Sequence, residues 1–275
     1  MVHRILIVTA VAAEADSVAA GLGHDAPGSV REPAWEPVPL PGDLTLRRHA
    51  DGVDLLVGGV GPAAVAAATG TALACASLTG AGSGSGADSG SGSGSPYDLV
   101  VSAGIAGGFA PHAPIGTVVV SEAIVAADLG AETPDGYLAV EELGFGRSAH
   151  PVPHSLTGPL AAALRAGGRP HTVAPVLTVS TVTGTAGRAA ELAGRHPTAA
   201  AEAMEGFGVA EAAAAHGVPV VEIRAVSNAV GPRDRAAWRI GEALDALRQA
   251  FALLSPPLLT NPTTLPNPTL SVEAK

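Results

Sequence analysis

A single α/β domain, built as a mixed, mostly parallel central sheet between two helical layers, is the fold class the sequence predicts. Short apolar runs rich in β-branched residues alternate with Ala-rich stretches, which is the pattern of strands joined through helical crossovers. The 275 residues are 47% hydrophobic and 15% charged, enough to bury one sizeable core without staples. Cys75 is the only cysteine, so an intrachain disulfide framework and a thiolate zinc cluster are both excluded.

The first strand is predicted over ILIVTA (5–10), with a helix following from Glu14 to Leu22. REPAWEPVPLPG, around Trp35, reads as an irregular loop leading into a hairpin. DLLVGGV (54–60) is the next strand and the Ala-rich stretch 63–78 the next helix. TGAGSGSGADSGSGSGSP (79–96) has almost nothing to bury and is predicted to be a flexible insertion. DLVVSA (98–103) and TVVVSEA (117–123) are strands. A helix over 156–166, the strand VLTVS (176–180) and helices over 187–194 and 206–216 follow. PVVEIRAV (219–226) is the last strand, and 235–254 the last helix. The expected domain is therefore 1–255, followed by a Pro- and Thr-rich tail over 256–275 that is predicted to be disordered.

A formal net charge of -10 argues against a nucleic-acid partner, because phosphate backbones call for a positively charged face. The apolar stretch of MVHRILIVTAVAAEAD is too short to span a membrane, and acidic Glu14 and Asp16 stand where a signal peptide would need small residues. A cytoplasmic protein acting on a small molecule, with no membrane partner, is the expectation.

In α/β sheets, ligands gather at the carboxyl ends of strands, so polar residues just after each apolar run deserve inspection. Glu14 follows the first run. Gly104, Ile105, Gly107 and Gly108 follow SA in SAGIAGGF, Met204 and Glu205 open a helix in AMEGFG, and Asn228 ends the last strand. Each has a plain structural reading. Glu14 suits the first turn of a helix, the glycines suit a tight turn, Glu205 suits a solvated helix start and Asn228 suits a turn. GIAGGF fits neither the dinucleotide fingerprint nor the Walker pattern.

Taken in order, GIAGGF after a strand, MEG opening a helix and a strand ending in RAVSN resemble the nucleoside phosphorylase and methylthioadenosine nucleosidase superfamily. Within it, VEIRAVSNAVGPRDRAAW is most similar to the futalosine hydrolase family. The resemblance implies hydrolysis of the N-glycosidic bond of futalosine to hypoxanthine and dehypoxanthine futalosine, in menaquinone biosynthesis and without a cofactor. It implies that Glu14 activates water, that Glu205 binds the ribose hydroxyls with Met204 against the sugar, and that Asn228 holds the departing purine. Gly104, Ile105 and Thr183 are carried over as further substrate-binding positions, Arg233 is added on chemical grounds as a guanidinium that suits a substrate carboxylate or else a solvated loop charge, and a homo-oligomer is implied as well.

The chemistry agrees with that division. Cleavage puts positive charge on the sugar, so a carboxylate near it and a base over water both lower the barrier. Asn228 stands where adenine-specific relatives have an aspartate, and an amide suits a 6-oxo base. Ser102 and Ile105 stand where phosphorylases have an arginine and a serine, so water is favoured over phosphate as nucleophile. Arg233, Arg235 and Arg239 are candidates for a substrate carboxylate, and Phe145 and Phe207 for stacking on the base. His150 and His154 have ligand-like spacing, but HPVPH carries two prolines and no metal is expected. The alternatives are a purine nucleoside phosphorylase acting on inosine, an adenine-specific nucleosidase and a catalytically silent nucleoside-binding module.

Overall fold

The computed structural model describes residues 4–23, 35–49, 51–80 and 97–260. In chain order the elements are β1 (Ile5–Thr9), α1 (Ala12–Leu22), β2 (Glu36–Leu40), β3 (Leu44–Arg48), β4 (Val53–Val57) and α2 (Pro62–Gly80). The second part of the chain gives β5 (Leu99–Gly108), β6 (Val118–Ala126), β7 (Gly130–Thr133), β8 (Gly136–Ala139), β9 (Ala149–Pro151) and α3 (His154–Ala166). The last part gives β10 (His171–Thr178), α4 (Ala186–Arg195), β11 (Ala201–Ala203), α5 (Gly206–Ala215), β12 (Val220–Ala229) and α6 (Ile240–Thr260).

The predicted α/β architecture is present, and its layering follows from a period of two along the strands. On β1, Ile5 and Ile7 pack into a core with Val18 of α1 and Phe251 of α6. Leu6 and Val8 face the other way, onto Val65 and Leu73 of α2 and Val209 of α5. All five residues of β1 are buried, which is why the strand reads as a continuous apolar run with no polar alternation.

The sheet order is β11-β10-β6-β12-β5-β1-β4-β3-β2, and β11 also pairs with β5. Strands β4, β1, β5 and β12 run parallel, so their carboxyl ends share one edge. β6 is antiparallel to β12 and parallel to β10, which makes the sheet mixed. The β11–β5 pairing joins the two limbs, so that β5, β12, β6, β10 and β11 close on themselves.

The hairpin anticipated around Trp35 is β2–β3. Helix α6 runs to Thr260, past Pro256, where the sequence predicts a tail to begin. Its predicted start at Arg235 is instead a single 3-10 turn, Arg235–Ala237. The Gly/Ser segment 81–96 and the tail beyond 260 lie outside the described residues. Among the described residues, no helix is long and apolar enough to cross a membrane.

An ionic knot around the buried Asp54 ties the far edge of this frame, its two arginines partly exposed. Asp54 accepts hydrogen bonds from Arg4 at 2.7 Å, from Arg48 at 2.9 and 3.0 Å, and from the Tyr97 hydroxyl at 2.5 Å. Burial alone would raise the Asp54 carboxyl, but Arg48, Tyr97 and Arg4 together hold it below its ordinary value.

Candidate active site

Glu14 sits in the first turn of α1, just past the carboxyl end of β1, and is 4% exposed. Its Oε2 accepts the N–H of Ala10 at 3.0 Å and of Val11 at 3.3 Å, while Oε1 accepts that of Ile105 at 2.9 Å. The plain helix-start reading and the functional one thus describe the same side chain. It caps its own helix, and it is also held against β5 through the Ile105 N–H.

Gly104 explains how a carboxylate fits there. A Cβ on it would stand 2.5 Å from Glu14 Oε1 and 2.5 Å from Arg224 Nη1, so the carboxylate and a guanidinium converge on the space this glycine leaves. Arg224, on β12, is paired in register with Gly104. It is fully buried: Nε donates to Glu222 Oε1 at 2.7 Å, Nη2 pairs with Glu205 Oε2 at 3.1 Å, and Nη2 also reaches Ser102 Oγ at 3.3 Å. Burial would lower the Arg224 guanidinium, but Glu222, Glu205 and Glu14 outweigh it and raise it above its usual value. Glu222 has no exposure, and burial pushes it up to about 7 against the pull of Arg224.

Glu205 is the N-cap residue of α5 and is 6% exposed, so it is no solvated helix start. Its Oε1 accepts the Gly61 N–H at 3.2 Å. Gly61 has φ +91°, a left-handed conformation that suits glycine and turns the loop after β4 toward Glu205. Met204 beside it is half-buried. The structure therefore gathers Glu14, Gly104, Ile105 and Glu205 around Arg224, with the Met204 N–H turned to Glu205 Oε2 at 3.3 Å.

Asn228, Thr183 and Arg233 lie one level further along. They line a cavity together with Gly107, Val182, Glu202 and Trp238. Register pairs Arg224 with Gly104 and Asn228 with Gly107, so about 10 Å of strand separates the levels at ~3.3 Å per residue. Arg233 lies over the Trp238 ring at 5.2 Å and Arg235 at 5.8 Å, while Arg239 is exposed beside Glu242 at 3.7 Å.

Phe145 and Phe207 are elsewhere. They line a separate cavity of about 500 Å³ with Leu129, Val140, Arg147 and Glu211, so Trp238 is the aromatic beside Asn228. The two histidines also part company. His150 is buried on β9 and hydrogen-bonds Glu211 at 2.6 Å, whereas His154 opens α3.

Sequence reasoning missed Arg224, Glu222, Glu202 and Trp238. Glu222 and Arg224 stand two apart in VEIRAV, a spacing that puts both on one face of a strand and could have announced an ion pair.

Glu14 and Glu205 thus lie buried at the carboxyl edge of a mostly parallel sheet, with the cavity beside Asn228 one level beyond, and the comparisons with known proteins place this arrangement among the enzymes that cleave nucleoside N-glycosidic bonds. The family model of the phosphorylase superfamily matches residues 4–255. The chain is 58% identical over 255 residues to futalosine hydrolase of Streptomyces coelicolor, covering 93% of this chain and 96% of that one. It is 45% identical over 253 residues to futalosine hydrolase of Acidothermus cellulolyticus, covering 90% and 89%. Among solved structures it matches a methylthioadenosine/S-adenosylhomocysteine nucleosidase of Colwellia psychrerythraea in complex with adenine, at TM-score 0.69 and 20% identity over 94% of this chain and 95% of that one. It also matches the futalosine hydrolase of Helicobacter pylori, at TM-score 0.68 and 16% identity over 94% and 97%. The chain belongs to the phosphorylase superfamily and, within it, to the futalosine hydrolase family.

Proposed function

We propose that this enzyme hydrolyses the N-glycosidic bond of futalosine, releasing hypoxanthine and dehypoxanthine futalosine, a step of menaquinone biosynthesis. The observation that carries water as nucleophile is the setting of Arg224. It is the cation of the cluster, and Glu222, Glu205 and Glu14 all lie against it. Carboxylates outnumber the guanidinium there, so an attacking phosphate would meet no surplus positive charge, whereas a neutral water would meet a base.

In this reading Glu14 takes the proton of the attacking water, its orientation fixed by three backbone N–H groups. Glu205 accepts the ribose hydroxyls through charge-assisted bonds, with Met204 against the sugar. As the glycosidic bond lengthens, both carboxylates face the positive charge growing on the sugar. Asn228 and the cavity around it hold the departing base by hydrogen bonds, and Arg233 is placed to meet an anionic part of the substrate.

A homo-oligomer accords with the exposed Phe145, Leu129 and Leu138 near the β7–β8 hairpin, and sedimentation would read its size. A cytoplasmic setting accords with the single cysteine.

The test offers purified protein futalosine, inosine and methylthioadenosine, each with and without phosphate, and follows base release by chromatography. Phosphate-independent hypoxanthine release from futalosine is expected. Strict phosphate dependence would make the enzyme a phosphorylase, and tight binding without turnover would make it a binding module.

A further inference from the structure

Glu202 has no part in the scheme above, yet it forms a wall of the cavity beside Asn228. It is buried on the three-residue strand β11. Thr183 holds it twice, its N–H donating to Oε1 at 2.8 Å and its Oγ to Oε2 at 2.5 Å. Each carboxylate oxygen has a second lone pair, so this grip fixes the group and leaves acceptor capacity toward the cavity. Burial raises the Glu202 carboxyl, against the pull of Thr183.

The sheet puts Glu202 and Asn228 on one level. Glu202 pairs with Gly107 across β11–β5, and Asn228 pairs with Gly107 across β12–β5. Residues directly opposite in neighbouring strands point to the same face, and two strand spacings put the pair about 10 Å apart. Between them stands a residue with no side chain. A Cβ at Gly107 would come within 2.9 Å of Val230 Cγ2 and 3.3 Å of Asn228 Nδ2, so only glycine keeps this slot open.

The two walls differ in polarity. Asn228 Oδ1 accepts from Ser227 Oγ at 2.8 Å, and Nδ2 gives one N–H to the Ala229 carbonyl at 3.0 Å. One N–H of Asn228 remains, so Asn228 offers a donor and Glu202 an acceptor. A carbonyl oxygen next to an N–H, the lactam edge of a 6-oxopurine, matches that order. A 6-aminopurine presents the reverse.

We propose that Glu202 determines specificity in the base subsite, accepting the N1–H of a 6-oxopurine whose O6 takes the free N–H of Asn228. The inference rests on the reading that this cavity receives the base, and it adds a residue that recognises rather than reacts.

Calorimetric binding of hypoxanthine, adenine and 1-methylhypoxanthine, which lacks the N1–H, tests it without turnover. The wild type binds hypoxanthine at least tenfold tighter than either other base. In Glu202→Gln and Glu202→Ala that preference falls about tenfold to a hundredfold, and kcat/KM for futalosine over its 6-amino counterpart falls in step. A merely structural Glu202 would change stability or overall rate and leave both ratios alone. Ratios unchanged within threefold in folded variants overturn the proposal, as does a wild type without base preference. A wild type that binds hypoxanthine selectively but cleaves nothing overturns the proposed reaction and leaves this subsite standing.

Discussion

Glu14 receives three backbone N–H groups and approaches Arg224 across Gly104. A side chain so fixed can act as a base only through its carboxylate, because the amide of glutamine cannot take a proton from water. Glu14→Gln is therefore expected to lower kcat by about 10²- to 10⁴-fold with little change in KM, measured by steady-state hypoxanthine release. The melting temperature should be followed in parallel, since one amide N–H would face a backbone donor. A loss of less than tenfold would remove Glu14 from the role of base. Glu14, Glu205 and Asn228 were singled out in the sequence by their joint order, which resembles the family's, and the structure puts Glu14 and Glu205 beside Arg224 with Asn228 one level away. Arg224 was not singled out, because a charge inside VEIRAV looks like an interruption of a strand, and only the sheet shows three carboxylates waiting for it. Glu202 was illegible for a related reason: its strand is three residues long in an Ala-rich stretch, too short for any periodicity to register.

At the scale of elements, strands with both faces covered announce themselves as apolar runs, and β1, β4, β5, β6, β10 and β12 were all legible to within a few residues at their shared ends. Direction was not. Nothing in TVVVSEA says that β6 runs against β12, because the reversal is set by the connection through Gly116 and by pairing partners far away in sequence. Helix contacts that depend on a missing side chain are equally hidden. Gly208 of α5 lies against the start of α2, where a Cβ would fall 2.1 Å from the Pro62 carbonyl oxygen. That obstacle is backbone, so no rotamer change relieves it, and the helices would have to separate. Gly208→Ala is expected to cost about 1–3 kcal/mol, read as a lower midpoint in urea unfolding. An unchanged midpoint would show that α2 and α5 can slide apart freely. Because α2 begins immediately after Gly61, whose N–H holds Glu205, the same variant should weaken substrate binding.

Across the whole molecule, folding buries carboxylates whose affinities for protons move in opposite directions, and this gives stability a pH dependence with a definite sign. Asp54 is held below its ordinary value by Arg48, Tyr97 and Arg4 despite its burial, so it stabilises the fold above about pH 4 and loses that contribution only as pH falls further. Glu222 behaves oppositely. Burial pushes it from 4.5 to about 7, so between those values the folded chain holds a proton that the unfolded chain has released. Stability must then fall as pH rises through this window, and level off above it. Glu222→Gln keeps an acceptor for Arg224 Nε and removes the titration, while Glu205 and Glu14 remain to balance the guanidinium. The melting temperature of this variant, scanned from pH 4.5 to 8 by calorimetry, should decline less than that of the wild type, with the curves closest at the acid end. Parallel curves would mean that Glu222 is charged throughout and that the buried cluster carries its full negative excess at every pH. On the proposed mechanism an unprotonated Glu222 would also face the positive charge developing at the sugar, and Glu222→Gln would then lower kcat by a similar factor at every pH tested, because the wild type would carry that charge throughout.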